Sequence, residues 1–173
     1  MTQQGALQGF RIRNAVSSDT ALILQFIKEL AVYEKLLHEV VATEETLKES
    51  LFGSNKMAEV IIGEWSGEPV AFALYFHNFS TFLGRAGLYL EDLYVQPQMR
   101  GRGIGKQMLS YLAQLALSRG CGRLEWWVLD WNKPALRFYR SLGATPMDEW
   151  TVQRVSGEAL QQLAKAFDKD CSS

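Results

Sequence analysis

Three strand-patterned stretches follow one another between Ala58 and Val95: AEVIIGEW, EPVAFALYFHNFS and GLYLEDLYV. The first two meet at Ser66-Gly67-Glu68-Pro69, whose glycine and proline mark a tight turn. Strands joined by such short links pair as antiparallel neighbours, because a parallel partner needs a crossover of a dozen or more residues. An antiparallel meander is therefore expected at the centre of the chain. Its apolar faces must be covered. Residues at helical spacing stand ready on both sides: Leu22, Ile23, Phe26, Ile27, Leu30 and Ala31 before the meander, and Ile104, Met108, Leu112, Leu115 and Ala116 after it.

The remaining elements follow from the same periodicities. Phe10 to Val16 alternates as a half-buried strand does. Asp19 stands where a helix N-cap would, and the helix after it should end near Tyr33 and Glu34. A second helix is expected after Thr43, with Glu44 and Glu45 in a first turn that suits the helix dipole. Beyond the stop signal at Gly120, RLEWWVL reads as a strand and NKPALRFYRSLG as a helix. Asn132 is then the N-cap, Pro134 lies in the first turn and Gly143 at the C-terminal end. A strand near Trp150 to Val155 and a helix from Glu158 to about Phe167 complete the chain. The expected order is βααβββαβαβα. This is an α+β fold, a mixed and mostly antiparallel sheet with helices on both faces.

At 173 residues the chain should form a single domain over residues 1–173, with residues 1–9 a flexible leader. A net charge of -1 argues against broad nucleic-acid binding, which rests on neutralising many phosphates. Neither a signal peptide nor an apolar run of roughly 20 residues is present, so a cytoplasmic protein without a membrane partner is expected. The cysteines, Cys121 and Cys171, suggest no disulfide framework. The histidines, His38 and His77, are isolated, so no metal site and no Ser-His-Asp triad is read.

After GLYLEDLYV comes RGRGIGK, residues 100–106. It is not a dinucleotide fingerprint, because Lys106 stands where the third glycine belongs. Nor is it a Walker loop, which needs a glycine in place of Arg100 and Ser or Thr in place of Gln107. What remains is a strand, a short cationic glycine loop and a long amphipathic helix. A helix start offers unsatisfied N–H groups and a partial positive charge, a ready seat for an anion. Spacing alone leaves two readings open: that seat, or a plain helix start after a glycine turn.

Arg100-x-x-Gly103-x-Gly105 after an LED strand resembles the R/Q-x-x-G-x-G/A signature of the GNAT superfamily of acyl-CoA-dependent N-acetyltransferases. IKELAVYEK, YLEDLYV, WNKPALRFYRSLGA and the EW ending at Trp150 are similar in order and spacing to the spermidine/spermine (diamine) acetyltransferase branch, over roughly residues 10 to 165. The resemblance implies acetyl-CoA as co-substrate. Arg100, Gly101, Arg102, Gly103, Ile104, Gly105 and Lys106 would hold its pyrophosphate. Leu93, Tyr94 and Val95 would meet it at the strand end, and Asn132, Lys133, Pro134 and Ala135 would flank its pantetheine.

Acetyl transfer from a thioester to an amine needs a neutral amine, a polarised carbonyl and a proton for the departing thiolate. An aliphatic primary amine has a pKa of about 10.4 and arrives protonated, so a base is required. The resemblance implies Glu91 in that role. On an ideal strand Asp92 would point to the opposite face. The family carries a bulge in this strand that parts it from its neighbour and frees backbone amides, with that of Leu93 as donor to the thioester carbonyl. Tyr139 would be the general acid at the sulfur, although the periodicity of Leu136, Phe138, Tyr139 and Leu142 equally describes a buried helix face. Cys121 has no histidine placed to activate it, so direct attack in a ternary complex is expected.

For the amine, the resemblance implies Tyr33, Glu34, Glu91, Glu125, Trp126, Trp127 and Asp148. Asp92, Glu149 and Trp150 add to an acidic, aromatic lining suited to a polyamine or diamine. Two positions depart from the diamine pattern: Phe82 where that branch has a tryptophan, and Leu93 where an aromatic is common. Thialysine or another lysine-like amino acid is the first alternative, and protein lysines or N-termini the second. A non-catalytic acyl-CoA-binding module is the rival from outside enzymology. The family further implies a homodimer.

Overall fold

The computed structural model describes residues 7–167. They fall into two compact units, one ending at Trp127 and one starting at Val128, each treated by itself. Of the leader expected over residues 1–9, the first six residues lie outside the described range, as does Cys171. Leu7 to Gly9 form a turn closed by the Phe10 N–H donating to the Leu7 carbonyl at 2.9 Å.

The first unit is a five-stranded sheet in the order β1-β2-β3-β4-β5: β1 Phe10–Asn14, β2 Glu59–Trp65, β3 Glu68–Ser80, β4 Arg85–Val95 and β5 Leu124–Trp126. The first four strands are antiparallel and β5 lies parallel to β4. The expected meander is thus present. Ser66 and Gly67 close the β2–β3 hairpin with φ of 52° and 91°. Positive φ at both central residues is the backbone of a type I′ turn, whose twist matches that of the paired strands.

Three helices cover this sheet: α1 Thr20–Glu34, α2 Glu44–Phe52 and α3 Ile104–Ser118. Phe26 of α1 stacks on Phe72 of β3 at 5.6 Å and lies 5.9 Å from the Tyr94 ring of β4. Ile23, Leu51, Val60 and Ile62 join them in the core. The opposite face belongs to α3. There Gly63 of β2 leaves room for Met108, whose sulfur lies 3.1 Å from where a Cβ would stand. Arg119, just past α3, sets its guanidinium 5.9 Å from the Tyr75 ring centroid. Helices on both faces are therefore present.

Asp19 occupies the expected N-cap position without capping α1. A 3-10 turn over Ser17–Asp19 leaves its backbone helical, and its carboxylate accepts from the Val16 N–H at 2.8 Å and from Arg13 at 2.7 and 2.9 Å. Arg13 also donates to the buried Glu64 carboxylate at 2.6 Å, and together they hold both acids below the usual carboxylate range.

The second unit contains α4 Lys133–Ser141 and α5 Gly157–Lys165. Two expectations are corrected. RLEWWVL was to be a strand throughout, but pairing reaches only Leu124–Trp126. The strand expected near Trp150 to Val155 is not formed, and the order among the described residues is βααβββαβαα. Alternating apolar residues become a strand only when a neighbouring ladder takes up their amides.

Candidate active site

The β3–β4 register places Tyr75 opposite Leu90 and Leu74 opposite Asp92, so Glu91 is an extra residue in β4. It forms a β-bulge. The bulge decides where the carboxylates point. Directly paired residues share a face, so Leu90 lies on the α3 side with Tyr75, over which Arg119 stacks. Tyr94 lies on the α1 side against Phe26. Counting by alternation forward from Leu90 and backward from Tyr94 puts Glu91 and Asp92 both on the α1 side. The opposite-face geometry of an ideal strand is thereby abolished.

Burial pushes the Asp92 carboxyl up to about 7, with Glu91 and then Glu34 adding like-charge repulsion. Burial likewise raises Glu34, the last residue of α1. The charges of Glu91 and Glu34, from two elements, therefore both bear on Asp92, whose own charge burial already disfavours. That suits a group that takes up a proton near neutral pH.

The backbone amides show the same change of phase. Leu88 N–H donates across to Arg123 at 2.9 Å, on the β5 side, whereas Gln96 N–H donates to Val70 of β3 at 2.9 Å. By alternation the amides of Leu88 and Leu90 face β5 before the bulge, and those of Leu93 and Val95 face that way after it. The β4–β5 pairing ends at Leu90 and Trp126. Leu93 and Val95 thus turn their N–H groups toward an edge that β5 no longer pairs.

Pairing also divides the residues expected at the amine. Glu125 lies opposite Tyr89, and the Trp127 ring meets the Tyr89 ring edge-on at 5.9 Å, so both stand on the carboxylate face. Trp126 lies opposite Leu90 and points to the α3 side, so the structure does not bring it to that face. Glu125 is held by Asn78 Nδ2 at 3.0 Å and by an ion pair with Arg123. Tyr33, beside Glu34, completes the face from α1.

In the glycine segment, Gly101 and Gly103 have φ of 77° and 84°, a region that other residues enter at a cost. Gly103 is the N-cap of α3. The first hydrogen bond of the helix runs from Gln107 N–H to the Gly103 carbonyl at 3.0 Å. The amides of Ile104 and Gly105 precede that ladder, and a glycine cap brings no side-chain oxygen to meet them. Buried Ile104 anchors this turn. The cap chemistry fits a diphosphate: N–H donors at a positive helix end, with Arg102 and Lys106 adjoining. Arg102 rests 5.5 Å from the Trp65 ring.

In the second unit Asn132 caps α4, its Oδ1 accepting from Ala135 N–H at 3.3 Å, and Lys133 and Pro134 follow in the first turn. Tyr139 is half-buried beside the Phe138 ring at 5.4 Å, while Asp148 and Trp150 are exposed beyond the helix. Among the described residues no group of three or more His, Cys, Asp or Glu side chains is arranged to hold a metal ion. No helix among them is long and apolar enough to cross a membrane.

A family model described as "Acetyltransferase (GNAT) family" matches residues 26–144. Thialysine N-epsilon-acetyltransferase of Mus musculus is 41% identical over 165 residues, covering 89% of this chain and 96% of that protein. Spermidine/spermine N(1)-acetyltransferase-like protein 1 of Homo sapiens is 33% identical over 172 residues, 94% of this chain and 25% of that protein. Among solved structures, an integron cassette protein from the mobile metagenome of V. cholerae has a TM-score of 0.77 at 28% identity, over 91% of this chain and 99% of that one.

Proposed function

The chain belongs to the GNAT acetyltransferase family, and from that premise we propose that it moves the acetyl group of acetyl-CoA to a primary amine of a small cationic metabolite, by direct attack. The observation that carries this reading is the bulge at Glu91. One extra residue turns two carboxylates to one face and directs the Leu93 amide to the unpaired strand edge.

Acetyl-CoA supplies an acyl group activated as a thioester. The segment from Arg100 to Lys106 is its pyrophosphate seat, through the amides at the α3 N-terminus and the charges of Arg102 and Lys106. Leu93, Tyr94 and Val95 offer the strand edge, and Asn132 to Ala135 the pantetheine contacts. Glu91 takes the ammonium proton, with Asp92 beside it able to hold a proton at neutral pH. The Leu93 N–H, fixed by the sheet, stabilises negative charge on the carbonyl oxygen by up to about 3 kcal/mol. Tyr139 Oη gives its proton to the leaving sulfur. Glu34, Glu125 and Asp148 attract the cation, and Tyr33, Trp127 and Trp150 pack its methylenes, Trp126 being turned to the other face of the sheet. The protein is taken to act as a cytoplasmic homodimer as one catalytic domain, with neither nucleic acid nor membrane as a partner.

The amine is a polyamine or diamine, or an amino acid with a side-chain amine. The thialysine enzyme similar to this chain along nearly its whole length favours the latter, as do Phe82, where the diamine branch has a tryptophan, and Leu93, where it commonly has an aromatic. A screen of spermidine, putrescine, thialysine, lysine and ornithine with acetyl-CoA, reading thiol release, tests the reading. Turnover of one or more is expected. Coenzyme binding without turnover of any small amine would sink it and leave protein substrates as the rival.

Tyr139→Phe is expected to lower kcat about 100-fold, the scale of a positioned general acid, with coenzyme affinity unchanged. Undiminished turnover would remove Tyr139 from that role.

A further inference from the structure

The sequence reading places Arg100 among the groups that hold pyrophosphate, but its side chain is engaged elsewhere in the first unit. Its Nε–H donates to the Val95 carbonyl at 2.9 Å, so the chain folds back from the glycine loop to the last residue of β4. Its Cζ lies 4.7 Å from the Tyr33 ring centroid and 5.7 Å from that of Tyr94. Tyr94 is buried against Phe26, whereas Tyr33 sits one residue before Glu34 at the end of α1. A planar guanidinium stacks its face on aromatic rings while donating in its plane, whereas a tetrahedral ammonium has no flat face to stack.

We infer that Arg100 is a positioning residue that fixes Tyr33 and the C-terminal end of α1 against the strand edge and the start of the glycine loop, so that amine affinity depends on a residue of the coenzyme segment. Three parts meet on this one side chain: the carbonyl of Val95, the anchored ring of Tyr94 and the exposed ring of Tyr33. Lys35 follows Glu34 in the left-handed region with φ of 63°, and the Lys35 and Leu36 N–H groups cap the helix backbone on the Val32 and Ala31 carbonyls at 3.1 and 2.8 Å. Those bonds fix the backbone of the last turn, and Arg100 adds a contact to the Tyr33 side chain from outside the helix. This role rests on Tyr33 and Glu34 serving the amine.

The test is a double-mutant cycle with Arg100→Lys and Tyr33→Ala, read as amine KM, as coenzyme A affinity without amine, and as thermal stability. Arg100→Lys keeps the charge and should raise amine KM about tenfold, the scale of a lost cation–π contact with its paired hydrogen bond, while coenzyme A affinity changes less than about twofold. Tyr33→Ala should cost a similar factor. The double variant should lose little more than either single one, because the two groups act as a unit. Tyr33→Phe keeps the ring and should retain the coupling to Arg100. Additive losses, or a fall in coenzyme affinity larger than the rise in amine KM, would overturn the inference. Stability coupling with an unaltered amine KM would also overturn it, leaving a structural contact alone. Failure of the amine reading itself is seen separately, as a wild-type protein that turns over no small amine.

Discussion

Glu91→Gln is expected to lower kcat by about 10² to 10⁴-fold, the usual range for a positioned general base, while coenzyme A affinity stays within about twofold. The substitution is nearly isosteric and Glu91 is exposed at the bulge, so the sheet has no reason to change. Only the capacity to accept a proton is removed. The base is needed because a primary amine with a pKa near 10.4 is almost wholly protonated at neutral pH. Raising the pH therefore provides an internal control. The defect should shrink as the amine deprotonates in solution, and a deficit that stays constant from about pH 7 to pH 10 would show that Glu91 acts otherwise than as a base.

The second large effect concerns Asp92, in stability and in the pH profile together. Its folded-state pKa of about 7 lies above the ordinary 3.8. The native protein accordingly binds more protons than the unfolded chain between those values, and stability is lost as pH rises through that window. The cost is fully present above about pH 7 and absent well below pH 4. Asp92→Asn should therefore stabilise the protein at pH 8, by at most about 4 kcal/mol for a rise of this size, and the gain should vanish at low pH. Urea unfolding at pH 8 and near pH 4 measures both ends. In catalysis, the Asp92 carboxyl should give kcat/KM an acid limb near pH 7 in the wild type. That limb should be lost in Asp92→Asn, because the asparagine amide does not titrate. An unmoved limb together with unchanged stability would show that Asp92 does not carry the proton.

Much of the fold can be read locally. The β2–β4 meander follows from alternation and from the Ser66-Gly67 turn, and α1 and α3 follow from helical spacing, with Gly120 as the stop after α3. What period counting misses is Glu91. Alternation assigns Glu91 and Asp92 to opposite faces, and only the register against Tyr75 and Leu74 shows that one residue of β4 is unpaired. Resemblance to a family supplied that bulge beforehand; the residues by themselves did not. The absent strand near Val152 and the shortened β5 failed for a related reason, since backbone pairing is decided by a distant neighbour and not by the segment's own composition. Arg100 shows the limit of motif reading. The glycine signature places its backbone correctly, but which rings its guanidinium meets depends on where α1 ends.

The bulge also separates this protein's chemistry from its architecture. Excision of Glu91 would leave Leu90 opposite Tyr75 and Asp92 opposite Leu74 as consecutive rungs of an unbroken ladder, with Tyr94 still against Phe26. The shortened chain would be the more regular β-protein and would lack its proposed base. On the proposed mechanism, a single in-frame codon loss is thus a direct route from an acetyltransferase to a folded descendant that keeps its coenzyme seat and has no base.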